Sequence, residues 1–140
     1  MPSAVVDTTV LIGAADDDDR HHEVATEIVE RIDAGTLPTG HVTNYVLLET
    51  LNWIHERKRH ATAVGVSDRL YQSAGFVVRH TPQSDLSQTN EVFEQFDALA
   101  FGDATVVAYM HREGIDYPFD DDFDALDGVT RLDTPENPYA

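Results

Sequence analysis

The sequence predicts an α/β fold, in which helices pack around a sheet of parallel strands. Short apolar runs of strand length alternate along the chain with longer segments that have the apolar spacing of amphipathic helices. The length of 140 residues fits one domain, and a hydrophobic content of 41% is enough for one core. No internal repeat or linker divides the chain. We therefore expect one domain over residues 1–134, followed by a C-terminal tail over residues 135–140.

The first third of the chain predicts two strands and one clear helix. We expect a strand over residues 4–6, a turn or helical start over 8–15 and an exposed acidic loop over 16–19. A helix over 23–32 and a weak strand over 37–42 are expected to follow. The helix is indicated by Val24, Ile28 and Ile32, which are spaced four residues apart. Pro38 and Gly40 interrupt the last run, so we expect it to be short or to lie at an edge of the sheet.

The rest of the chain predicts four helices and three strands. The helices are expected from residue 43 or 44 to about 60 and over 67–74, 84–99 and 103–112, and the strands over 76–79, 115–119 and 129–132. Five side chains of the first of these helices share one face by their spacing: Tyr45, Leu48, Glu49, Asn52 and Trp53. The carboxylate of Glu49 is therefore expected beside aromatic rings.

The charge balance is strongly acidic. Twenty-six acidic residues against nine Lys and Arg give a formal net charge of −17, Asp outnumbers Glu seventeen to nine, and Lys58 is the only lysine. This composition resembles that of proteins from salt-loving archaea, where molar salt reduces the Debye length to about 3 Å and screens the repulsion. We therefore interpret most acids, including the run 16–19, as solvated surface rather than as a binding site.

Several function classes are excluded by what the sequence lacks. The chain has no cysteine, which excludes disulfides, thiolate catalysis and cysteine-based metal sites and fits a reducing compartment. The longest apolar run, residues 10–15, is far too short to span a membrane, and no secretory signal is recognisable. We expect a cytoplasmic protein with no membrane partner.

Four acids differ from the rest because they interrupt apolar sequence: Asp7, Glu49, Asp103 and Asp120. A carboxylate in such surroundings needs a proton, a cation or a metal, since burying it unpaired is costly. Asp7 and Asp120 directly follow predicted strands, and ligands of such folds gather beyond the carboxyl ends of the strands. Oxygen donors without histidine or thiolate suit Mg²⁺ or Mn²⁺. The pattern predicts a metal-dependent enzyme acting on phosphate esters.

The surroundings of these acids resemble those of a known family. The segments V-V-D-T-T-V-L around Asp7, V-L-L-E-T-L around Glu49, F-G-D-A around Asp103 and F-D-D-D-F-D after Pro118 are similar, in the same order, to the motifs of PIN-domain ribonucleases. They are especially similar to those of the VapC toxins of VapBC toxin–antitoxin systems. Each motif alone is weak, but the ordered set spans nearly the whole chain.

The resemblance implies a three-layer α/β/α domain with a five-stranded parallel sheet and Mg²⁺- or Mn²⁺-dependent cleavage of RNA. It assigns metal coordination to Asp7, Glu49, Asp103 and Asp120, and a supporting hydroxyl to Thr9. The family often has Thr or Ser two residues before its fourth acid, where this chain has Pro118. Either Asp120 or Asp122 is therefore expected to supply the fourth ligand.

The resemblance also implies partners: an RNA substrate such as tRNA or an rRNA loop, a small antitoxin protein, and a second copy in a homodimer. The basic residues Arg57, Lys58 and Arg59 form a local positive patch that is the best candidate for RNA phosphates, although a solvated helix end explains it equally. Two other functions stay open. One is a PIN nuclease of RNA processing or decay without an antitoxin, and the other is a non-catalytic PIN module that binds RNA or protein.

Overall fold

The computed structural model of the protein describes residues 2–119 and 135–139. Within these ranges the chain forms four strands and six helices. In chain order the elements are β1 (Ser3–Val6), α1 (Thr8–Ala15), α2 (His22–Ala34), β2 (Thr39–Thr43), α3 (Asn44–Arg57), α4 (His60–Gln72), β3 (Phe76–Arg79), α5 (Asp85–Gln95), α6 (Phe101–Glu113) and β4 (Pro118–Phe119).

The four described strands form one parallel sheet in the order β3-β2-β1-β4. β1 is an interior strand, because Val5 is in register with His41 of β2 on one side and with Pro118 of β4 on the other. Residues 4–6 are fully buried, as expected for a parallel strand that is covered on both faces. The predicted α/β fold with a parallel sheet is confirmed. The predicted fifth strand, residues 129–132, lies outside the described residues.

β2 also lies inside the sheet, between β3 and β1, so of the two predicted alternatives, a short strand or an edge strand, the edge strand is wrong. Pro38 precedes the strand, where its missing N–H removes no hydrogen bond of the ladder. A β-carbon at Gly40 would lie 2.8 Å from Val6 Cγ2 and 3.2 Å from Phe76 Cδ1. The glycine that weakened the prediction therefore lets β2 pack closely between its neighbours.

The helices follow the predicted order, with differences at their ends. Residues 8–15 form a complete helix, α1, rather than a turn. The helix expected to reach residue 60 ends at Arg57, and α4 begins at His60, about two turns before the predicted start at 67. No Gly or Pro marks this break between α3 and α4, and these residues are the usual signals of a helix boundary.

Thr43 connects the sheet to α3. This residue is fully buried at the end of β2, and its Oγ1 accepts a hydrogen bond of 3.2 Å from the backbone N–H of Val46. The bond satisfies one of the unpaired N–H groups at the start of the helix. As predicted, the strand therefore runs directly into α3, and Glu49 lies in the second turn of that helix.

Residues 135–139 lie against the amino ends of the strands. Tyr139 donates a hydrogen bond of 2.9 Å from its hydroxyl to the backbone oxygen of Ser3, and its ring contacts that of Tyr117 at a centroid distance of 5.1 Å. Asn137 donates to the backbone oxygen of Thr36 at 3.3 Å. No helix in the described part of the chain is long and apolar enough to cross a membrane.

Candidate functional site

Asp7 lies at the carboxyl end of β1, at the junction with α1. Its residue is 5% exposed, and its backbone is held on two sides. The Asp7 N–H donates to the carbonyl oxygen of Phe119 at 3.3 Å, and the Asp7 carbonyl accepts from the N–H of Val10 at 3.2 Å. An acid is thus fixed between the ends of two neighbouring strands, where ligands bind in open parallel sheets.

Glu49 lies in a groove of about 400 Å³ between α3 and α6. A β-carbon at Gly102 would lie 3.1 Å from Glu49 Oε2, so this carboxylate lies against the backbone of the first turn of α6. The face predicted for α3 forms one wall of the groove. The lining residues are Tyr45, Leu48, Glu49, Asn52, Trp53, Glu56, Arg57, Phe101, Gly102 and Thr105.

Asp103 is the third residue of α6 and is partly buried. Its Oδ2 accepts a hydrogen bond of 3.1 Å from the backbone N–H of Ala100, which fixes the start of the helix. An acid in the first turn also interacts favourably with the helix dipole. Asp103 therefore has a structural role at the end of α6 that contacts Glu49.

The structure brings two of the predicted ligands to adjoining elements and places the third at the start of a helix that packs against α3. Glu49 contacts the first turn of α6, which carries Asp103, while Asp7 precedes α1, and α1 packs against α3. Thr9 is exposed in the first turn of α1. The other two predicted ligands, Asp120 and Asp122, lie outside the described residues.

A close group of three ligand atoms occurs elsewhere on the surface. Among the residues that the structure describes, only Asp16, Asp17 and Asp18 have ligand atoms that all lie within 4.8 Å of one another. Lys58 Nζ lies 2.7 Å from Asp16 Oδ1 and 3.3 Å from Asp18 Oδ2. This cluster therefore already has a cation, supplied by the end of α3.

The ion pair changes the interpretation of both charged segments. The hydrogen bond between the two side chains raises the pKa of Lys58 and lowers that of Asp16. Asp16 is only 9% exposed, so the interpretation of residues 16–19 as solvated surface is wrong for this residue, whereas Asp17 and Asp18 are exposed. A periodicity argument could not detect this pair, because its members are 42 residues apart in sequence.

The three basic residues proposed for RNA contacts have different surroundings. The Arg57 guanidinium lies over the Trp53 ring at 5.1 Å from its centroid, and both residues line the groove that contains Glu49. Lys58 faces the aspartates of the α1–α2 loop instead. Arg59 is exposed between α3 and α4. Of the three, only Arg57 shares the groove with a predicted metal ligand.

The second wall of this groove was not predicted from the sequence. Phe101 is 41% exposed there, and its ring contacts that of Phe93 edge-on at 5.3 Å. Gly102 and Thr105 complete the wall. In the sequence, Phe101 and Gly102 directly precede Asp103. This position identifies a motif but does not reveal that the two residues form part of a surface.

Known proteins resemble this chain both in sequence and in fold. The sequence profile of the PIN domain matches residues 4–129. A comparison with curated proteins gives no match. Among solved structures, VapC20 of Mycobacterium tuberculosis, a toxin that cleaves the sarcin-ricin loop, is 27% identical with a TM-score of 0.72. The match covers 86% of this chain and 91% of that chain.

Two further structures are similar in fold. A toxin–antitoxin complex from Klebsiella pneumoniae is 17% identical, with a TM-score of 0.63 and coverage of 96% of this chain and 98% of that chain. VapBC2 from Rickettsia felis, bound to a DNA fragment from its promoter, is 12% identical, with a TM-score of 0.69 and coverage of 93% and 97%.

Proposed function

Because this chain belongs to the PIN domain family, we propose that it is a Mg²⁺- or Mn²⁺-dependent endoribonuclease and the toxin of a type II toxin–antitoxin system. The observation that carries the proposal is the placement of Asp7. A nearly buried carboxylate at the junction of β1 and α1, beside the end of β4, is the donor that a hard cation at this edge of the sheet requires.

The donor set fits such a cation. Asp7, Glu49 and Asp103 offer carboxylate oxygens, and Asp120 or Asp122 would supply the fourth. When bound, the ion would polarise the scissile phosphate and lower the pKa of an attacking water. The carboxylates themselves repel one another, so the protein should be more stable with the metal than without it. Thr9 is proposed to support the cluster through its hydroxyl, and Arg57 to hold a substrate phosphate.

The similar structures support two of the proposed partners. Two of the three are toxin–antitoxin assemblies, which supports a small antitoxin as the partner of this chain. A homodimer is proposed as well, on the resemblance of the sequence motifs alone. The name of the Mycobacterium tuberculosis toxin states that it cleaves the sarcin-ricin loop, which supports a folded RNA such as rRNA or tRNA as substrate. The acidic composition supports action in a salt-rich cytoplasm.

The central test is cleavage of cellular RNA in high KCl, with Mn²⁺, with EDTA, and with the variant Asp7→Asn. We expect cleavage with Mn²⁺ and its loss both in EDTA and in the variant. Asp68→Asn, the same change at an exposed residue of α4, is the matched control and should cleave normally. Cleavage that persists in EDTA would rule out the metal mechanism.

Further arms of the experiment separate the alternatives. Binding of RNA without cleavage of any cellular RNA in Mn²⁺ would favour a non-catalytic PIN module. Cleavage by a chain whose gene adjoins no short reading frame would favour RNA processing without an antitoxin. Comparing Asp120→Asn with Asp122→Asn identifies the fourth ligand, since only the true ligand should reduce both cleavage and stabilisation by Mn²⁺.

A further inference from the structure

We propose that Trp53 and Arg57 form a stacking surface for an unpaired RNA base that adjoins the scissile phosphate. This inference rests on the proposed ribonuclease function and names the substrate class of that site, namely a single-stranded or looped RNA segment. It assigns to the two side chains a role in substrate positioning, distinct from the metal-binding role of the carboxylates.

The two side chains are arranged as one surface. They are four residues apart on α3, so they lie on the same side of the helix, and the Arg57 guanidinium covers the Trp53 ring at 5.1 Å from its centroid. Trp53 is partly buried and Arg57 is exposed. Stacking on an aromatic ring restricts a planar guanidinium and leaves its N–H donors at the rim for a phosphate or a base edge.

The groove around this pair is suited to a base. Its other rings belong to Tyr45, which is 37% exposed, and to Phe101, which is 41% exposed, and Asn52 adds an amide to the lining. Exposed aromatic rings beside a cation are the usual surface for unpaired bases, because every base has a face that can stack. Leu48 is also exposed there, so the lining is mainly apolar, with a cation, an amide and two carboxylates among the rings. This combination matches a base, which has an apolar face that can stack and a polar edge.

The position of Trp53 and Arg57 determines which nucleotide, relative to the scissile phosphate, would be bound. Glu49, the predicted metal ligand on α3, lies one turn before Trp53 and lines the same groove. A phosphate held beside Glu49 therefore places a neighbouring nucleotide over the Trp53–Arg57 surface. A base inside a duplex has both faces covered by its neighbours, so this contact requires an unpaired residue.

The charged surroundings favour Arg57 over the adjacent Lys58 as the cation that contacts RNA. Lys58 is engaged by Asp16 and Asp18, whereas the Arg57 guanidinium stacks in the groove. In a chain with a net charge of −17, long-range attraction of RNA is weak, and stacking is less sensitive to salt than a phosphate contact. A surface that binds RNA by stacking can therefore function at high salt concentration.

The experiment uses Trp53 as its own reporter, since it is the only tryptophan of the chain. The full-length protein is titrated in EDTA, where no cleavage is expected, with an unstructured ribo-oligonucleotide and with a blunt RNA duplex of the same length. We expect saturable quenching of tryptophan fluorescence by the single strand and at least about ten-fold weaker binding of the duplex. The titration is repeated at low and high KCl.

Variants test the surface itself, with binding measured by anisotropy of a labelled single strand. Trp53→Ala should weaken binding about ten-fold, whereas Trp53→Phe keeps a ring and should retain most of it. Arg57→Lys keeps the charge but loses the planar stack, so binding should weaken several-fold. Tyr71→Ala removes an exposed ring of α4 that does not line the groove and should leave binding unchanged.

The outcomes distinguish this inference from the proposed function. Unchanged Trp53 fluorescence with a preparation that cleaves RNA would overturn the stacking surface but not the nuclease. Quenching by single-stranded RNA without cleavage in Mn²⁺ would support the surface and contradict the enzyme. Equal binding of single strand and duplex, or quenching by a co-purified partner protein but not by RNA, would also overturn the inference.

Discussion

The carboxylate of Glu49 on α3 lies against the backbone of Gly102 on α6. A β-carbon at position 102 would lie 3.1 Å from Glu49 Oε2, which is closer than ordinary van der Waals contact. The absence of a side chain at Gly102 thus leaves room for the Glu49 carboxylate at the point where one predicted ligand meets the helix of another.

Replacing this glycine by alanine should separate activity from stability. In Gly102→Ala, alanine favours the helix by up to about 1 kcal/mol, so the free energy of unfolding should not fall much. The added methyl group displaces Glu49 by a few tenths of an ångström, and we expect RNA cleavage to fall about 3- to 10-fold. Cleavage assays with Mn²⁺ and urea denaturation measure the two effects.

The control for this change is Gly65→Ala. Gly65 lies within α4, and an added β-carbon there meets nothing within 4 Å. This variant should show the same gain in helix stability with normal cleavage. Wild-type activity in Gly102→Ala would show that the position of Glu49 is not critical.

A second prediction concerns the ion pair that joins α5 to α6. Arg112 Nε donates to Asp85 Oδ1 at 2.8 Å, and the Asp85 side chain is 9% exposed while that of Arg112 is 38% exposed. Arg112→Gln leaves a buried carboxylate without its cation and should lower the free energy of unfolding by about 1–2 kcal/mol, the solvent exposure of Arg112 reducing the loss. Chemical denaturation measures this change.

A double-mutant cycle tests the interpretation. Adding Asp85→Asn to Arg112→Gln should recover part of the lost stability, because the buried charge is then removed. Arg31→Gln breaks an exposed pair with Glu27 on α2 and should change stability by less than about 0.5 kcal/mol. Additive effects of the two changes at 85 and 112 would contradict the proposed coupling.

A third prediction concerns salt. Lys58→Gln removes the cation that contacts Asp16 and Asp18, so the variant should be less stable than the wild type at low ionic strength. At molar KCl the difference should shrink, since the ion pair is largely screened. Thermal unfolding at 0.1 M and 2 M KCl measures the change, with Lys58→Arg as the charge-conserving control. A difference that grows with salt would contradict this account.

The fourth prediction concerns acid stability. Burial lowers the pKa of His41, the charge of Arg79 adds to this effect and Glu113 opposes it. His41 Nδ1 lies 2.7 Å from the hydroxyl oxygen of Tyr109. Because the pKa of the folded state is below the ordinary value of about 6.5, the unfolded state binds more protons as pH falls. His41 therefore contributes stability that is lost on acidification below about pH 6.5.

The measurement compares denaturation of the wild type and of His41→Asn at pH 7.5 and 5.5. The wild type should lose more stability over this interval than the variant does. His80→Asn, at an exposed position, should leave the pH dependence of the wild type unchanged. An equal change in the free energy of unfolding with pH in His41→Asn and in the wild type would show that folding does not shift the pKa of His41.

Local pattern was sufficient to predict most elements of the fold. β3 was predicted at its observed bounds, and the i, i+4, i+8 spacing of α2 identified that helix. Ile28 and Ile32 are buried as the spacing predicts, but Val24 is 41% exposed and Ala25 is buried instead. The shared face of Glu49 and Trp53 was likewise confirmed as a wall of one groove. For the acids that carry the proposed chemistry, motif order supplied information that periodicity does not contain.

The features that the sequence did not predict depend on contacts between distant residues. Gly40 lowers strand propensity locally, yet it fits β2 between Val6 and Phe76. Asp16 appeared to be one member of a solvated run, but Lys58 reaches it from α3. In both cases tertiary packing determines the structure around the residue, and no neighbouring residue in the sequence indicates the contact.

The register of β1 has a consequence for the order in which the protein is assembled. Val5 and Asp7 donate backbone hydrogen bonds to Tyr117 and Phe119, more than 100 residues later in the chain. During synthesis, one edge of β1 therefore stays open until β4 is available, and contacts this distant in sequence form slowly. The backbone N–H of Asp7 acquires its partner only at that stage, although its carbonyl oxygen can accept from Val10 much earlier. The proposed site around Asp7 can therefore assemble only after residues 117–119 have been synthesised.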